Sequence, residues 1–417
     1  MKPWLGGIGE AFSDRNFRLY SIGSIISWIT YFIQQIAFSW AVWQITHSTA
    51  WLAIVALLDM AANVLVLPFG GVLAYRVDRF KMAVTAYAFD FLKALALAIL
   101  AFTDHLTLPV VCVCAVLHGL IHAFSVPAAY GMMPRFVTRE RLAAAIAVAA
   151  AYTQFAIFAG PAIAGWILVR WGLAAAFAVN VAGYLVFFVT VVFLRTPEGY
   201  RQSKSSGRSF FKDIPDGARY IFGHKGIAAL LSIMFVGDAL LTATYQMMPA
   251  YSDLLLGSGV GGMGILVGSA GLGATLAALW LAHGGATGAT SQRALLGFVL
   301  FALAVGILAA APSLLLAVPA MLLFGFAGES ARTATTSILQ SSVDDAQRGR
   351  VMSTRFLLQR AAGGLGTVLV GTTAQHAGLR LPMFIASGFA LIVAVVAFSH
   401  RSRIAASFQG AATAKAE

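Results

Sequence analysis

The sequence predicts an all-α polytopic membrane protein in which twelve transmembrane helices form two pseudo-symmetric bundles of six. Hydrophobic residues make up 59% of the chain and charged residues only 11%, which is more apolar surface than one soluble core of 417 residues could bury. Twelve apolar runs reach or approach the roughly 20 residues that an α-helix needs to cross a bilayer. These runs are 17–43, 49–74, 82–103, 106–133, 142–168, 173–194, 226–250, 259–283, 293–311, 313–338, 350–374 and 380–399.

The cations indicate how these runs are oriented. If the N-terminus is cytoplasmic, 22 of the 28 Lys and Arg residues fall in cytoplasmic segments, and only Arg170 and Arg380 fall in outer loops. Positive charge stays on the cytoplasmic side, so this distribution predicts that both termini are cytoplasmic and that the number of spans is even. It also accounts for the formal net charge of +12 without a nucleic-acid partner. The chain is therefore expected in the cell (inner) membrane, as a monomer in the lipid bilayer.

One hydrophilic segment divides the chain. Residues 195–225 are rich in Ser, Gly and basic residues and are predicted to form a cytoplasmic linker. The N-terminal bundle is then 1–194, the C-terminal bundle 226–400 and the cytoplasmic tail 401–417. A shift of 206 residues lays Gly160 on Gly366, which supports the internal repeat from which transporter folds are built.

Charge also gathers in the loop 70–81, GGVLAYRVDRFK, between the second and third apolar runs. Its cations hold the loop in the cytoplasm, and its glycines allow two helix ends to approach closely. The loop resembles the one between helices 2 and 3 of the major facilitator superfamily, which reads roughly G-x-L-A-D-R-x-D-R-R/K. Two other stretches are similar to the macrolide and siderophore exporters of that superfamily: PAAYGMMPRFVTRERLAAAIAV followed by GPAIAG, and RGRVMS at 348–353.

The resemblance implies the major facilitator fold and a gate at this loop. In the superfamily the loop locks the two halves when the cavity opens outward, and its Asp meets the free N–H groups at the start of helix 11. Tyr75 stands where that Asp is usual, so either Asp78 replaces it or the outward state is less favoured. The GPAIAG run is associated with export, although Ala156 replaces a usual glycine. The implied gate residues are Gly71, Tyr75, Arg76, Asp78, Arg79, Arg350 and Arg355.

Acidic residues inside the spans are candidates for proton coupling, because a charge at that depth is costly without a functional reason or a partner. Asp90 could instead pair with Lys93, three residues away on the same helix, and Glu329 could pair with Arg332 in the same way. Asp59 has no local partner and either carries a proton or bonds another helix. The four candidates are Asp59, Asp90, Asp238 and Glu329.

Other polar residues within the spans are expected to line a substrate cavity rather than to face lipid. His118 and His122 share a helix face and could relay protons, hold a metal together with an acid, or simply pack. The cationic eleventh span favours an anionic or zwitterionic cargo. The predicted cavity residues are Tyr31, Gln34, Gln35, Asn63, His118, His122, Gln154, Asn180, Gln246, Arg332, Gln359 and Arg360.

Together these features predict a secondary active transporter that exports a small amphipathic compound, drug-like or siderophore-like, by alternating access. The sequence contains no G-x-x-x-x-G-K-[ST], so the energy is expected from a gradient of protons or another ion. It also contains no catalytic constellation, and we expect neither an enzyme nor a cofactor. The alternatives are an importer or uniporter of an organic anion or metal chelate, and a non-transporting membrane receptor or scaffold.

Overall fold

The structure is a computed structural model, and every element that it describes is helical. The described residues are 12, 14–76, 79–130, 141–194, 219–221, 223–283, 291–343 and 345–399. Most of the predicted linker 195–225 and the tail 401–417 therefore lie outside them.

The first half of the chain folds into long helices joined by short turns. A single helical run, Leu142–Val192, is broken at Gly172, whose φ of 77° is favourable for glycine, and its arms 142–171 and 173–192 are called α5 and α6. The four helices before it are α1 (Arg15–Thr46), α2 (Thr49–Arg76), α3 (Arg79–Phe102) and α4 (Leu108–Tyr130).

The second half repeats this pattern. A short helical turn, Met248–Ala250, and a π-helical turn, Tyr251–Leu255, connect its first two helices. The six long helices are α7 (Lys225–Gln246), α8 (Gly259–His283), α9 (Ser291–Ala310), α10 (Leu314–Ser342), α11 (Asp345–Ala377) and α12 (Arg380–Ser399).

Ten helices in the described part of the chain are long and apolar enough to cross a membrane. One of them, Ala144–Val192, has 49 residues and contains the break at Gly172, so it is long enough for two spans. The helix α11 is not among the ten, because its charged residues and amides make it much less apolar. The polytopic, all-helical prediction is thus confirmed, whereas the count of twelve spans stays a prediction.

Large apolar side chains cover the outside of these helices. The exposed fraction is 71% for Leu65, 62% for Trp166 and 83% for Leu315. Such exposure would favour aggregation in water, and it matches a surface that lipid covers.

The chain separates into two compact units. The first comprises Met1–Ile45 and Leu58–Arg208, and the second comprises Thr46–Leu57 and Ser209–Glu417. The first turns of α2 thus belong to the second unit, where the Thr49 hydroxyl donates to the carbonyl oxygen of Gly371 at 2.8 Å. No pattern in the sequence predicted that the start of α2 would cluster with the second unit, and the predicted domain boundaries stay predictions.

Glycines set the closest helix contacts in both units, at positions that correspond in the predicted repeat. A Cβ at Gly160 on α5 would lie 2.5 Å from the Cβ of Phe32 on α1. A Cβ at Gly366 on α11 would lie 2.8 Å from the carbonyl carbon of Ala239 on α7. The shift of 206 residues therefore aligns two glycines that perform the same task, the fifth helix of each half meeting the first.

We expect Gly325→Ala to destabilise the second unit, because α8 and α10 touch through this glycine. A Cβ there would overlap the carbonyl oxygen of Ala270 and lie 2.6 Å from its carbonyl carbon. Overpacking of this kind should lower the free energy of unfolding by about 1–3 kcal/mol in a denaturant titration in mixed micelles. The control Gly388→Ala meets no atom within 4 Å and should change it by less than about 0.5 kcal/mol. Equal values for the two variants would contradict this packing.

Candidate functional site

The first unit contains a carboxylate–imidazole pair that joins two helices. The Oδ1 atom of Asp59 on α2 lies 2.7 Å from the Nδ1 atom of His118 on α4, so the ring N–H donates to the carboxylate. The exposed fraction is 30% for the Asp59 side chain and 28% for His118. Both side chains are therefore partly exposed rather than sealed between the two helices. Sequence reasoning proposed both residues separately and did not foresee that they meet.

The pair forms because α2 and α4 approach closely beside it. Gly119 follows His118, and a Cβ there would overlap the carbonyl oxygen of Asp59 and lie 3.0 Å from the backbone nitrogen of Asn63. The Asn63 side-chain amide donates to the carbonyl oxygen of Gly119 at 3.2 Å. Asn63 is 1% exposed, so it acts here as a helix–helix bond. Gly119 and Asn63 together fix the register that brings Asp59 to His118.

Aromatic side chains of α1 lie beside the Asp59–His118 pair. Tyr31 is stacked on the His118 ring, with centroids 6.1 Å apart and planes at 25°. His122 lies one turn further along α4, and its ring centroid is 5.7 Å from that of His118. On α1, Trp28 meets Tyr31 edge-on at 5.7 Å and is stacked on Phe32 at 6.1 Å. The first unit therefore carries a titratable pair beside an aromatic strip.

A metal at His118 and His122 would need at least one more ligand. In the residues that the structure describes, no group of three or more His, Cys, Asp and Glu side chains converges.

Three predicted cavity amides in the first unit have a buried atom with no hydrogen-bond partner among the described residues. These atoms are Oε1 of Gln34, Nε2 of Gln154 and Oδ1 of Asn180. The other end of Asn180 donates to the carbonyl oxygen of Thr30 at 2.9 Å. A buried amide group without a partner is costly, and a bound ligand or water is the usual reason that it persists.

The acid on α3 forms a local ion pair. Asp90 Oδ1 lies 2.6 Å from the Nζ atom of Lys93, and the exposed fractions of their side chains are 11% and 2%. This confirms the predicted contact three residues apart. Because both residues belong to one helix, the pair is well suited to a structural role.

The second unit contains a similar pair on α10. Arg332 donates from Nη2 and Nε to Oε2 of Glu329 at 2.6 and 3.1 Å. The hydroxyl of Thr333 donates to the other carboxylate oxygen at 2.9 Å. Both oxygens of Glu329 are therefore occupied, and the charge of Arg332 is largely compensated.

Asp238 on α7 is the acid of the second unit that has no such contact. Its residue is 7% exposed, and it feels the charges of Arg355 and Arg332. The Nε atom of Arg355 is itself buried with no hydrogen-bond partner in the described part of the chain. The predicted roles of these residues remain predictions.

The structure describes some of the remaining predicted residues and not others. The Arg350 side chain donates to Oε1 of Gln347 at 3.1 Å, and the Arg360 guanidinium lies 5.5 Å from the ring centroid of Phe356. Gln35 is exposed, while Gln246 and Gln359 are half-buried. In the predicted gate, the structure does not describe Asp78 or the side chains of Tyr75, Arg76 and Arg79. Of Gly71 it describes only the helical backbone.

Most of the chain is similar in sequence to known proteins. The family model described as transmembrane secretion effector matches residues 10–415. Macrolide efflux protein A of Streptococcus pyogenes is 26% identical over 226 residues, which are 54% of this chain and 56% of that protein. The chain thus aligns with little more than half the length of this relative. The enterobactin exporter EntS of Escherichia coli is 24% identical over 376 residues, 89% of this chain and 88% of that protein.

Solved transporter structures share the fold. The nucleoside transporter NupG has a TM-score of 0.69 at 12% identity, covering 94% of this chain and 99% of that chain. The peptide transporter POT in complex with sulfate has a TM-score of 0.72 at 13% identity, covering 94% and 96%. At these identities the likeness concerns the fold alone.

We expect Asp59→Asn and Gly119→Ala to change the hydrogen bonding of His118. The first variant removes the carboxylate, and the second pushes α2 away from α4 by the overlap described above. NMR of protein labelled with ¹⁵N-histidine, with the signal assigned by His118→Gln, should show the Nδ1 resonance moving in both variants. Leu117→Ala, on the exposed side of the same helix, should leave it in place. If the His118 Nδ1 resonance does not move in Asp59→Asn, the contact between Asp59 and His118 is not formed.

We expect Lys93→Met to be among the more damaging single changes in α3. It leaves the Asp90 carboxylate buried without its partner, which in comparable pairs lowers stability by about 3–5 kcal/mol. The double variant Asp90→Asn with Lys93→Met removes both charges and should recover most of that loss in the same denaturant titration. A double variant as unstable as Lys93→Met alone would mean that Lys93 acts through packing and not through charge.

Proposed function

This chain belongs to the transmembrane secretion effector family of the major facilitator superfamily, and from that premise we propose that it is a secondary transporter that exports a small amphipathic organic compound in exchange for protons. Membership confirms the resemblance and the fold class inferred from the sequence, and it places the chain among transporters rather than enzymes. The relatives named above for macrolides and enterobactin support export and a cargo with a large apolar body.

The observation that carries the proposal is the contact between Asp59 and His118. An imidazole takes up and releases a proton near neutral pH more readily than any other ordinary side chain. A carboxylate in a span is tolerated when a partner compensates it, so protonation of His118 would turn the contact into an ion pair. Loss of that proton leaves a single negative charge on a partly exposed surface. The site therefore has two charge states that an ion gradient could drive.

The neighbouring side chains suit an amphipathic cargo. Trp28, Tyr31 and Phe32 offer ring faces to an apolar body. The buried amides of Gln34 and Gln154 have atoms still available for hydrogen bonds. A mostly apolar surface with a few convergent polar groups is the usual character of a small-molecule site.

The charge distribution supports the rest of the proposal. The cytoplasmic excess of Lys and Arg favours cytoplasmic termini in the cell membrane. The two six-helix halves expected for the superfamily support alternating access, and the Asp59–His118 contact supports a gradient of protons as the energy source.

Transport by purified protein in proteoliposomes tests this function. An imposed pH gradient should drive accumulation of a radiolabelled macrolide or of enterobactin, and Asp59→Asn should reduce this accumulation roughly tenfold or more, because one charge-assisted hydrogen bond is lost. Exchange of labelled for unlabelled cargo without a gradient should persist in Asp59→Asn, since exchange needs no net proton movement. Asp104→Asn, in the exposed turn between α3 and α4, is the matched control and should transport normally. Cargo movement that is insensitive to the gradient in the unmodified protein would overturn proton coupling.

Import of an organic anion is the second candidate, and Arg355 favours it. Its buried Nε atom without a partner could donate to a carboxylate on the cargo. Uptake into intact cells that is lost in Arg355→Gln would support import and contradict export.

A further inference from the structure

A narrow cleft opens within the second unit, among α7, α9 and α10, and we call it the α7–α9–α10 cleft. Its walls are mainly apolar and include Met234 of α7 and the rings of Phe298 and Phe301 of α9. Its polar lining consists of Asp238, Arg332 and Thr335. It lies wholly within one unit and does not involve Asp59 or His118.

Two glycines let the aromatic walls of the cleft pack directly against α7 and α10. A Cβ at Gly237 on α7 would lie 2.9 Å from Cε2 of Phe298, and a Cβ at Gly328 on α10 would lie 2.9 Å from Cδ2 of Phe301. Even an alanine at either position would therefore press on a ring that forms the wall. The rings of Phe298 and Phe301 can take these positions because α7 and α10 carry no side chain where the rings meet them.

The Asp238 carboxylate is buried in this cleft without a partner. The residue is 7% exposed, and no hydrogen bond or ion pair within 4 Å joins it to another described residue. Burying an ionised group in this way is costly unless something donates to it. Arg332, which lines the same cleft, already donates to Glu329 at 2.6 Å. The charge of Arg355 on α11 also acts on Asp238, but no hydrogen bond or ion pair joins the two side chains, so the carboxylate has no donor among the described residues.

The other polar group of the cleft is an acceptor as well. The Thr335 hydroxyl donates to the carbonyl oxygen of Ala331 at 2.6 Å, so its oxygen can offer only lone pairs to a ligand. The faces of aromatic rings such as Phe298 and Phe301 also attract cations. A group with several N–H donors and a positive charge satisfies all three features.

We propose that the α7–α9–α10 cleft binds the ammonium group of a small amphipathic amine, with Asp238 as its counter-ion. The ammonium donates to the carboxylate and to the Thr335 oxygen, while the apolar part of the molecule packs against Phe298, Phe301 and Met234. An anionic head would meet the Asp238 carboxylate and should bind more weakly than an ammonium. This binding does not rest on the proposed export function, since it requires neither transport nor a proton gradient.

Methionine-methyl NMR tests the proposal at the site itself. Protein labelled with ¹³C at the methionine methyl groups is titrated with n-octylamine, n-octanol or octanoate, which share one chain and differ in the head group. The Met234 resonance, assigned by Met234→Leu, should shift and saturate with octylamine. Octanol should shift it only at roughly tenfold higher concentration, because a neutral head forms a weaker hydrogen bond to a carboxylate. Octanoate should not shift it.

Two variants complete the test. Asp238→Asn should weaken octylamine binding roughly tenfold or more. Gly328→Ala should also weaken it, because the added methyl group would displace the Phe301 ring that forms a wall of the cleft. Asp104→Asn removes a carboxylate far from the cleft and should bind as the unmodified protein does. The proposal is overturned if Met234 does not respond to octylamine, responds equally to octanoate, or responds unchanged in Asp238→Asn. Failure of transport with intact octylamine binding would count against the export function alone.

Discussion

An ionised side chain within a lipid bilayer persists only where a counter-charge, a hydrogen-bond donor or water reaches it. The described acids meet this requirement in different ways. Asp90 is compensated by Lys93 on the same helix. The distance between these two side chains therefore does not depend on how that helix moves relative to its neighbours. Asp59 is compensated by His118 on another helix, so any change in the spacing of α2 and α4 alters its charge environment. Asp238 has no hydrogen bond or ion pair with any other described residue, although the charges of Arg355 and Arg332 act on it, and a bound ligand would supply the missing donor.

Close helix packing in both units depends on glycine rather than on apolar burial, since lipid solvates apolar side chains as well as a protein core does. Gly160 and Gly366 perform equivalent contacts in the two halves, which gives the internal repeat a physical basis. Gly119 also allows two helices to approach closely, and this approach brings Asp59 within hydrogen-bond distance of His118. Small residues therefore determine both where the backbones touch and which polar groups can meet.

Much of this architecture could be predicted from the sequence. The polytopic, all-helical fold and the approximate bounds of the long helices follow from the long apolar runs, which are a local property of the chain. The Asp90–Lys93 contact was also predictable, since residues three apart on a helix are neighbours. The contact of Asp59 with His118 was not, because 59 residues separate them and the contact depends on the register of two helices at Gly119. The sequence also could not predict that Asp238 lacks a hydrogen bond, because that depends on which side chains of the neighbouring helices reach it.

The division of α2 between the two units has a mechanical consequence. The helix is continuous, yet its turns up to Leu57 cluster with the second unit, and its turns from Leu58 onward cluster with the first. Asp59 is the second residue past that division. A bend of α2 at this point would move the Asp59 carboxylate relative to His118, so bending of the helix and the strength of this contact would be linked in both directions.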